Sequence, residues 1–382
     1  MIIYLVLGII AGTIAGLIPG LHTNTISKAL LFTPLFGFEA IIFVLSMGTV
    51  QSFVDFIPSI FIGASDSSTF ESVLPGHKMF LEGDAFTAIN LTIIGGIIAT
   101  IVSLLFMPIF IHFIEVNQEL FPKMIPLILI FSILILIFSN PSNKIKIFTA
   151  FIIFASATQG FLFQNQIFPL ITGYFGIATL LISSKKETKV KQKHTTNIDT
   201  NYLPGVIGVI GGGIVSIVPG IGNNLAARIV RIFINKINSK EYLLLLGSIN
   251  TSNFIFSFPV LLFLNKARNG MMIILKEKII FDYDSLIIGI ITILISTGIG
   301  GIITLFLAKN IIKIEFNKQK LEVFGIIFMT FLVILFNGLF GFVALFFASV
   351  LGILTIKLNV TRSSCLGFLI IPTLFFYISL LF

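Results

Sequence analysis

Long, unbroken apolar runs recur along the chain. The first six cover residues 2–19, 40–62, 85–114, 122–139, 145–163 and 167–183. After a polar stretch six more follow, at 203–219, 242–264, 285–308, 323–336, 340–356 and 366–382. A helix needs about 20 apolar residues to cross a bilayer. Membrane β-strands would alternate apolar and polar positions, and these runs do not. The pattern predicts an all-α polytopic membrane protein with about 10–12 membrane segments. The first run has no basic residues before it and flows into a motif that recurs later. It therefore reads as mature protein and not as a leader.

The two sets of runs repeat one another. Gly16-Leu-Ile-Pro19-Gly20-Leu-His22-Thr23-Asn24 resembles Ser216-Ile-Val-Pro219-Gly220-Ile-Gly222-Asn223-Asn224, at an offset of 200 residues. Pro58 and Pro259 keep an offset of 201, while Ala85 and Ser285, and Pro122 and Glu322, keep 200. Residues 1–183 therefore form one membrane repeat and 203–382 a second, joined by a basic linker at 184–202.

Basic residues suggest how the copies are oriented. The connection after the third run has Lys123 in the first half, but Lys309, Lys313, Lys318 and Lys320 in the second. After the fourth run, Lys144 and Lys146 have no counterpart, and after the fifth the bias reverses to Lys357 and Arg362. The linker carries Lys185, Lys186, Lys189, Lys191 and Lys193, whereas the C-terminus carries none. Basic connections favour the cytoplasm. The repeats are thus expected to be inverted, with the linker a solvated cytoplasmic connector in a cell-membrane protein. Six runs with an odd number of crossings require one run to turn back, and the Pro-Gly run is the candidate. Lys266, Arg268, Lys276 and Lys278 go against this charge pattern.

Composition narrows the function. Hydrophobic residues make up 56% and charged residues 10%, against about 25% charged in a soluble domain. The net charge of +8 therefore reads as topology signalling and not as nucleic-acid binding. One cysteine, Cys365, allows neither an internal disulfide nor a cysteine metal site. Gly63-Ala-Ser65 and Tyr283-Asp284 lack the partner signatures of an intramembrane protease, and no enzyme is expected.

The Pro-Gly segments carry the candidate chemistry. Pro disrupts a helix interior and Gly permits the following turn. Each break is followed by polar residues that can start a new helix, whose free N–H groups attract anions. Irregular backbone at membrane depth survives where it lines a polar cavity. Pro19, Gly20, His22, Thr23 and Asn24 in one half, and Pro219, Gly220, Asn223 and Asn224 in the other, are candidate substrate-binding residues. Arg228 follows the second break and could neutralise a carboxylate. Asn250, Ser252 and Asn253 offer amides and a hydroxyl without buried charge. Asp55, inside a membrane-length run, is a candidate for holding a coupling ion, as are Ser65 and Asp66.

At these residues the chain resembles the large membrane subunit of tripartite tricarboxylate transporters, the TctA family. Pro19-Gly20 and Pro219-Gly220 carry the likeness, as does the stretch from Pro58 through Leu74-Pro75-Gly76-His77 to Leu81-Glu82-Gly83-Asp84-Ala85. The second-half hairpin Asn265-Lys-Ala-Arg-Asn-Gly270 lacks the family's Pro-Gly, and the chain looks closest to a stand-alone archaeal-type branch. The resemblance implies a secondary transporter of small organic anions (di- or tricarboxylate-like), coupled to Na⁺ or H⁺ and using no cofactor. It implies substrate binding at both Pro-Gly motifs. It also implies, as partners, a small membrane subunit and an extracytoplasmic binding protein. Membrane lipid is the surrounding medium. The alternative is a translocase for a lipid-linked phosphate such as a polyprenyl carrier, whose head group would suit the same helix ends.

Overall fold

The computed structural model describes residues 1–18, 35–61, 63, 73–140, 142–182, 191–193, 198–234, 237–279, 282–313 and 318–380. These residues form helices and no strands. In chain order the helices are α1 (Ile2–Leu17), α2 (Gly37–Phe61), α3 (Lys78–Leu81), α4 (Ala85–Leu105) and α5 (Met107–Val116). Then come α6 (Phe121–Phe138), α7 (Asn143–Leu162) and α8 (Ile167–Ile182). The second half holds α9 (Leu203–Ile217), α10 (Asn223–Phe233), α11 (Ser239–Leu264) and α12 (Gly270–Lys278). It ends with α13 (Tyr283–Ile311), α14 (Lys318–Lys357) and α15 (Gly367–Ser379).

Among the described residues eight helices are long and apolar enough to cross a membrane, and α1, α5, α8 and α9 are shorter apolar helices. Polar caps mark where helices start. Asn238 and Glu241 form a capping box on α11, Asn269 caps α12 through the Met272 N–H, and Asp282 caps α13 through the Ser285 N–H; each cap satisfies N–H groups that the first turn leaves open.

One boundary differs from the apolar runs. The run at 85–114 is interrupted at Phe106, where Pro108 in the first turn of α5 cannot continue α4's hydrogen bonding. The runs at 323–336 and 340–356 remain two helical segments, which together make up the 40 residues of α14. Unbent it would be about 60 Å long, twice the hydrocarbon thickness. It kinks at Gly338, whose φ of 65° and ψ of −164° are not helical.

The centre of the bundle is the pair α2 and α11. In each, 94% of the most apolar window is buried, against 28–56% in the other six spans. The outer helices expose apolar side chains such as Ile101, Phe154, Phe306 and Phe331, as lipid-facing surfaces do. Around the central pair, α1 lies along α2 and α9 along α11; α4 packs on α11, and α13 packs on α2. Farther out, α7 packs on α15 and α8 on α14. Each half is thus built into the other.

Close approach sets the directions. A Cβ on Gly8, Gly12 or Gly16 of α1 would collide with Ser46, Met47 or Val54 respectively, so α1 and α2 run the same way. On α9, Gly205, Gly208 and Gly212 meet Leu244, Ser248 and Ser252 in the same sense. Small residues let membrane helices approach this closely. The central pair runs oppositely: Asp55 meets Asn250, Ser52 meets Thr251, and Gly48 meets Phe254.

The linker is not wholly a solvated connector. Gln192 is buried, its Oε1 accepts from the Ala85 N–H at the start of α4, and its Nε2 donates to the Phe80 carbonyl. The Lys193 N–H donates to the Gly83 carbonyl at 2.8 Å. Two consecutive linker residues are therefore fastened to the α3–α4 corner of the first half.

Candidate functional site

The site is built around two interruptions in helices. The first lies in α2. Pro58 has no N–H to give to the Val54 carbonyl, and the helical pattern lapses at Asp55. The Asp55 N–H still bonds to the Gln51 carbonyl at 3.0 Å, while the side chain, in a residue only 7% exposed, turns toward α11.

The second follows α9. That helix ends at Ile217, and Val218 is extended (φ −94°, ψ 112°), as suits a residue before proline. Gly220 has φ +86°, a left-handed value that glycine adopts without strain. A new helix, α10, starts at Asn223 with Gly222 as its N-cap. Since α9 and α11 run in the same direction, α10 brings the chain back toward the side from which α9 came. Pro219 and Gly220 are the tip of that hairpin. The Cβ missing from Gly220 points toward Leu129 of α6 and Ile370 and Thr373 of α15.

Four side chains join the tip to the carboxylate. Asn253 Nδ2 donates to Asn223 Oδ1 at 2.8 Å, and Asn223 Nδ2 donates to Asn250 Oδ1 at 2.6 Å. Asn250 Nδ2 donates in turn to both oxygens of Asp55, at 3.3 and 3.1 Å, and to the Ser52 carbonyl at 3.0 Å. Every link gives its proton in the same direction, toward the carboxylate. Amides in a low-dielectric interior polarise one another along such a chain. Asn250 lies 11 residues from one end of α11 and 14 from the other, about 17 and 21 Å at 1.5 Å per residue. The network therefore sits near the middle of a membrane-length helix. Ser52 and Thr251 extend it through a hydroxyl contact at 3.3 Å.

The other expected residues fall in different places. Asn224 is fully buried in the first turn of α10. Ser252 gives its hydroxyl proton to the Ser248 carbonyl at 2.7 Å and packs under Gly212, between α9 and α11. Arg228 is half-buried farther along α10. Arg231 lies over the Tyr242 ring at 5.4 Å, tying the end of α10 to the start of α11. Pro19, Gly20, His22, Thr23, Asn24, Ser65 and Asp66 lie outside the described residues. Ahead of the Pro19-Gly20 segment, α1 ends at Leu17 and Ile18 is extended (φ −96°, ψ 107°), matching Val218. Gly16 packs against the Val54 side chain and the Asp55 backbone nitrogen, so the end of α1 lies beside the interruption in α2.

From the sequence, Asp55 and Asn250 were candidates for separate tasks; the structure joins them. The spacing of Asn250 and Asn253, three apart on one helix face, is the signal that the two amides could act together.

Over residues 2–367 the sequence matches the tripartite tricarboxylate transporter TctA family. An uncharacterized protein of Methanocaldococcus jannaschii is 31% identical over 399 residues, covering 99% of this chain and 99% of its own length. No solved structure matches. The archaeal origin of that relative agrees with the archaeal-type branch. The chain belongs to the tripartite tricarboxylate transporter TctA family, a family of transporters and not of enzymes.

Proposed function

We propose that the protein is an ion-coupled carrier of small organic anions, of the di- or tricarboxylate kind, working by alternating access around the two Pro-Gly breaks. The observation that carries this reading is the one-way amide chain from Asn253 through Asn223 and Asn250 to Asp55. It connects a helix N-terminus at mid-bundle to a buried carboxylate. The N-terminus of α10 supplies N–H groups and a positive dipole end for an anion, with Arg228 one turn farther on as a counter-charge. Asp55 holds the coupling ion, H⁺ or Na⁺. Substrate-dependent change at Asn223 reaches Asp55 through a single amide, Asn250, which couples the two sites. The antiparallel crossing of α2 and α11 supports inverted repeats, the usual plan of secondary transporters. Pro19, Gly20, His22, Thr23 and Asn24 complete the site from the other half. The basic linker lies on the cytoplasmic side of the cell membrane. The family's description as tripartite makes a small membrane subunit and a binding protein the partners to seek.

The test is uptake into proteoliposomes of a carboxylate panel (succinate, malate, citrate) under imposed H⁺ or Na⁺ gradients. At least one carboxylate should accumulate with one gradient and not without it. Asp55→Asn should abolish accumulation while permitting exchange of internal for external substrate. Uptake indifferent to every gradient, or full accumulation by Asp55→Asn, would overturn the assignment.

A further inference from the structure

The turn between α11 and α12 holds an arginine without a counterpart. Its backbone is firmly set. Asn265 ends α11 in the left-handed region (φ 52°), Lys276 Nζ donates back to the Asn265 carbonyl at 2.9 Å, and Asn269 Oδ1 accepts from the Met272 N–H at 3.0 Å. Between these braces Arg268 places Nε and Nη2 out of contact with solvent, and neither atom has a hydrogen-bond partner. Those two nitrogens share one edge of the guanidinium, the edge that matches the two oxygens of a carboxylate or phosphate. Lys266 is half-buried beside it. Burial first, and the charge of Arg268 second, hold the Lys266 ammonium below its ordinary pKa. Among the described residues no carboxylate forms an ion pair with either cation. A buried donor left unpaired loses its hydration without compensation, and the cost is greater when the donor is charged; two adjacent cations add their repulsion.

We propose that the α11–α12 turn is a second anion site, with the Nε–Nη2 edge of Arg268 as a bidentate receptor for a carboxylate or phosphate group and Lys266 as its auxiliary charge. The turn begins 15 residues beyond Asn250 along α11, about 22 Å away, so the site is separate from the Asp55 network. Both donor atoms are covered in this structure. The anion has two sources with the same chemistry. One is a free carboxylate gathered at the end of the pathway, which rests on the transport reading. The other is the phosphate of a surrounding lipid, which does not.

The experiment uses the full chain in phosphatidylcholine nanodiscs. Succinate, citrate and inorganic phosphate are titrated calorimetrically, and a parallel series replaces part of the lipid by phosphatidylglycerol, followed by thermal unfolding. The wild type should bind one of the free anions or gain stability from the anionic lipid. Arg268→Gln should weaken that response by about tenfold or more, the loss of one bidentate contact. Arg268→Lys, which keeps the charge but loses the planar edge, should recover only part of it. Lys266→Gln should weaken it less than Arg268→Gln, and it keeps the question open to test if Arg268→Gln fails to elute as a single species. Loss confined to succinate or citrate identifies the free carboxylate; loss confined to phosphatidylglycerol identifies the lipid. A wild type that responds to none of these probes, or variants equal to wild type for all of them, overturns the proposal. Because the readout is equilibrium binding, it stands or falls independently of gradient-driven uptake.

Discussion

At the scale of single residues, Asn250 is the central link of the amide chain. It is the donor to Asp55 and the acceptor from Asn223. Asn250→Ala should cost about 1–3 kcal/mol of stability, the range for stranding buried polar partners, read as a fall in the thermal midpoint of the detergent-solubilised protein. It should also separate ion dependence from substrate dependence, so that substrate no longer alters the response to the coupling ion. Unchanged coupling in a folded Asn250→Ala variant would remove the amide chain from the mechanism. Asp55 itself was legible in the sequence, because an ionisable residue inside a membrane-length apolar run is costly and calls for a reason. Its partner was not, because 195 residues separate them and no local rule spans that distance.

At the scale of elements, the breaks are placed by covalent chemistry and used by packing. Pro58→Ala returns an N–H to the Val54 carbonyl and lets α2 run on regularly past Asp55. The variant should be as stable as wild type or more so, and slower in uptake, because the carboxylate loses its set toward Asn250. Gly220→Val places a β-branched side chain at φ +86°, strained by roughly 1–3 kcal/mol, and should abolish uptake while the protein still inserts. Gly212→Val is a different defect. Its side chain would strike Ser252 and the Asn253 backbone and wedge α9 off α11, so it should lower yield and thermal midpoint before any question of transport arises. Comparing the two by size-exclusion profile and by uptake separates a site defect from a packing defect. Asp282 offers a pH readout at the start of α13: the hydrogen bonds from Ser285 hold its carboxyl below the ordinary value. Its capping contribution is present above the unfolded carboxyl pKa and lost as pH falls through the lowered one. Asp282→Asn should flatten the acid limb of the stability curve.

At the scale of the whole molecule, neither half is self-sufficient. The first half's α2 is covered by α11 and α13 of the second, and the second half's α11 is covered by α4 of the first. Residues 1–183 expressed alone should aggregate or run as a disperse species on size exclusion. Co-expressed with 203–382, they should assemble, since the covering contacts require no continuous chain. The linker then acts as a brace and not as a necessity. Gln192→Ala removes two hydrogen bonds at the α3–α4 corner and should cost about 1–2 kcal/mol, without changing which segments pack together.

Much of this architecture was written locally. The lengths of the apolar runs, the helix ends at proline and glycine and the isolated Asp55 all follow from hydrophobic thickness and backbone sterics, which act on neighbouring residues. The opposed directions of α2 and α11, the fastening of Gln192, the pairing of Asp55 with Asn250 and the unmatched edge of Arg268 do not. In lipid the apolar faces of all these helices are nearly equivalent, so hydrophobicity cannot choose their neighbours. Close contact between small residues and the need to pair buried amides make that choice, and both depend on surfaces that exist only once the two halves have come together.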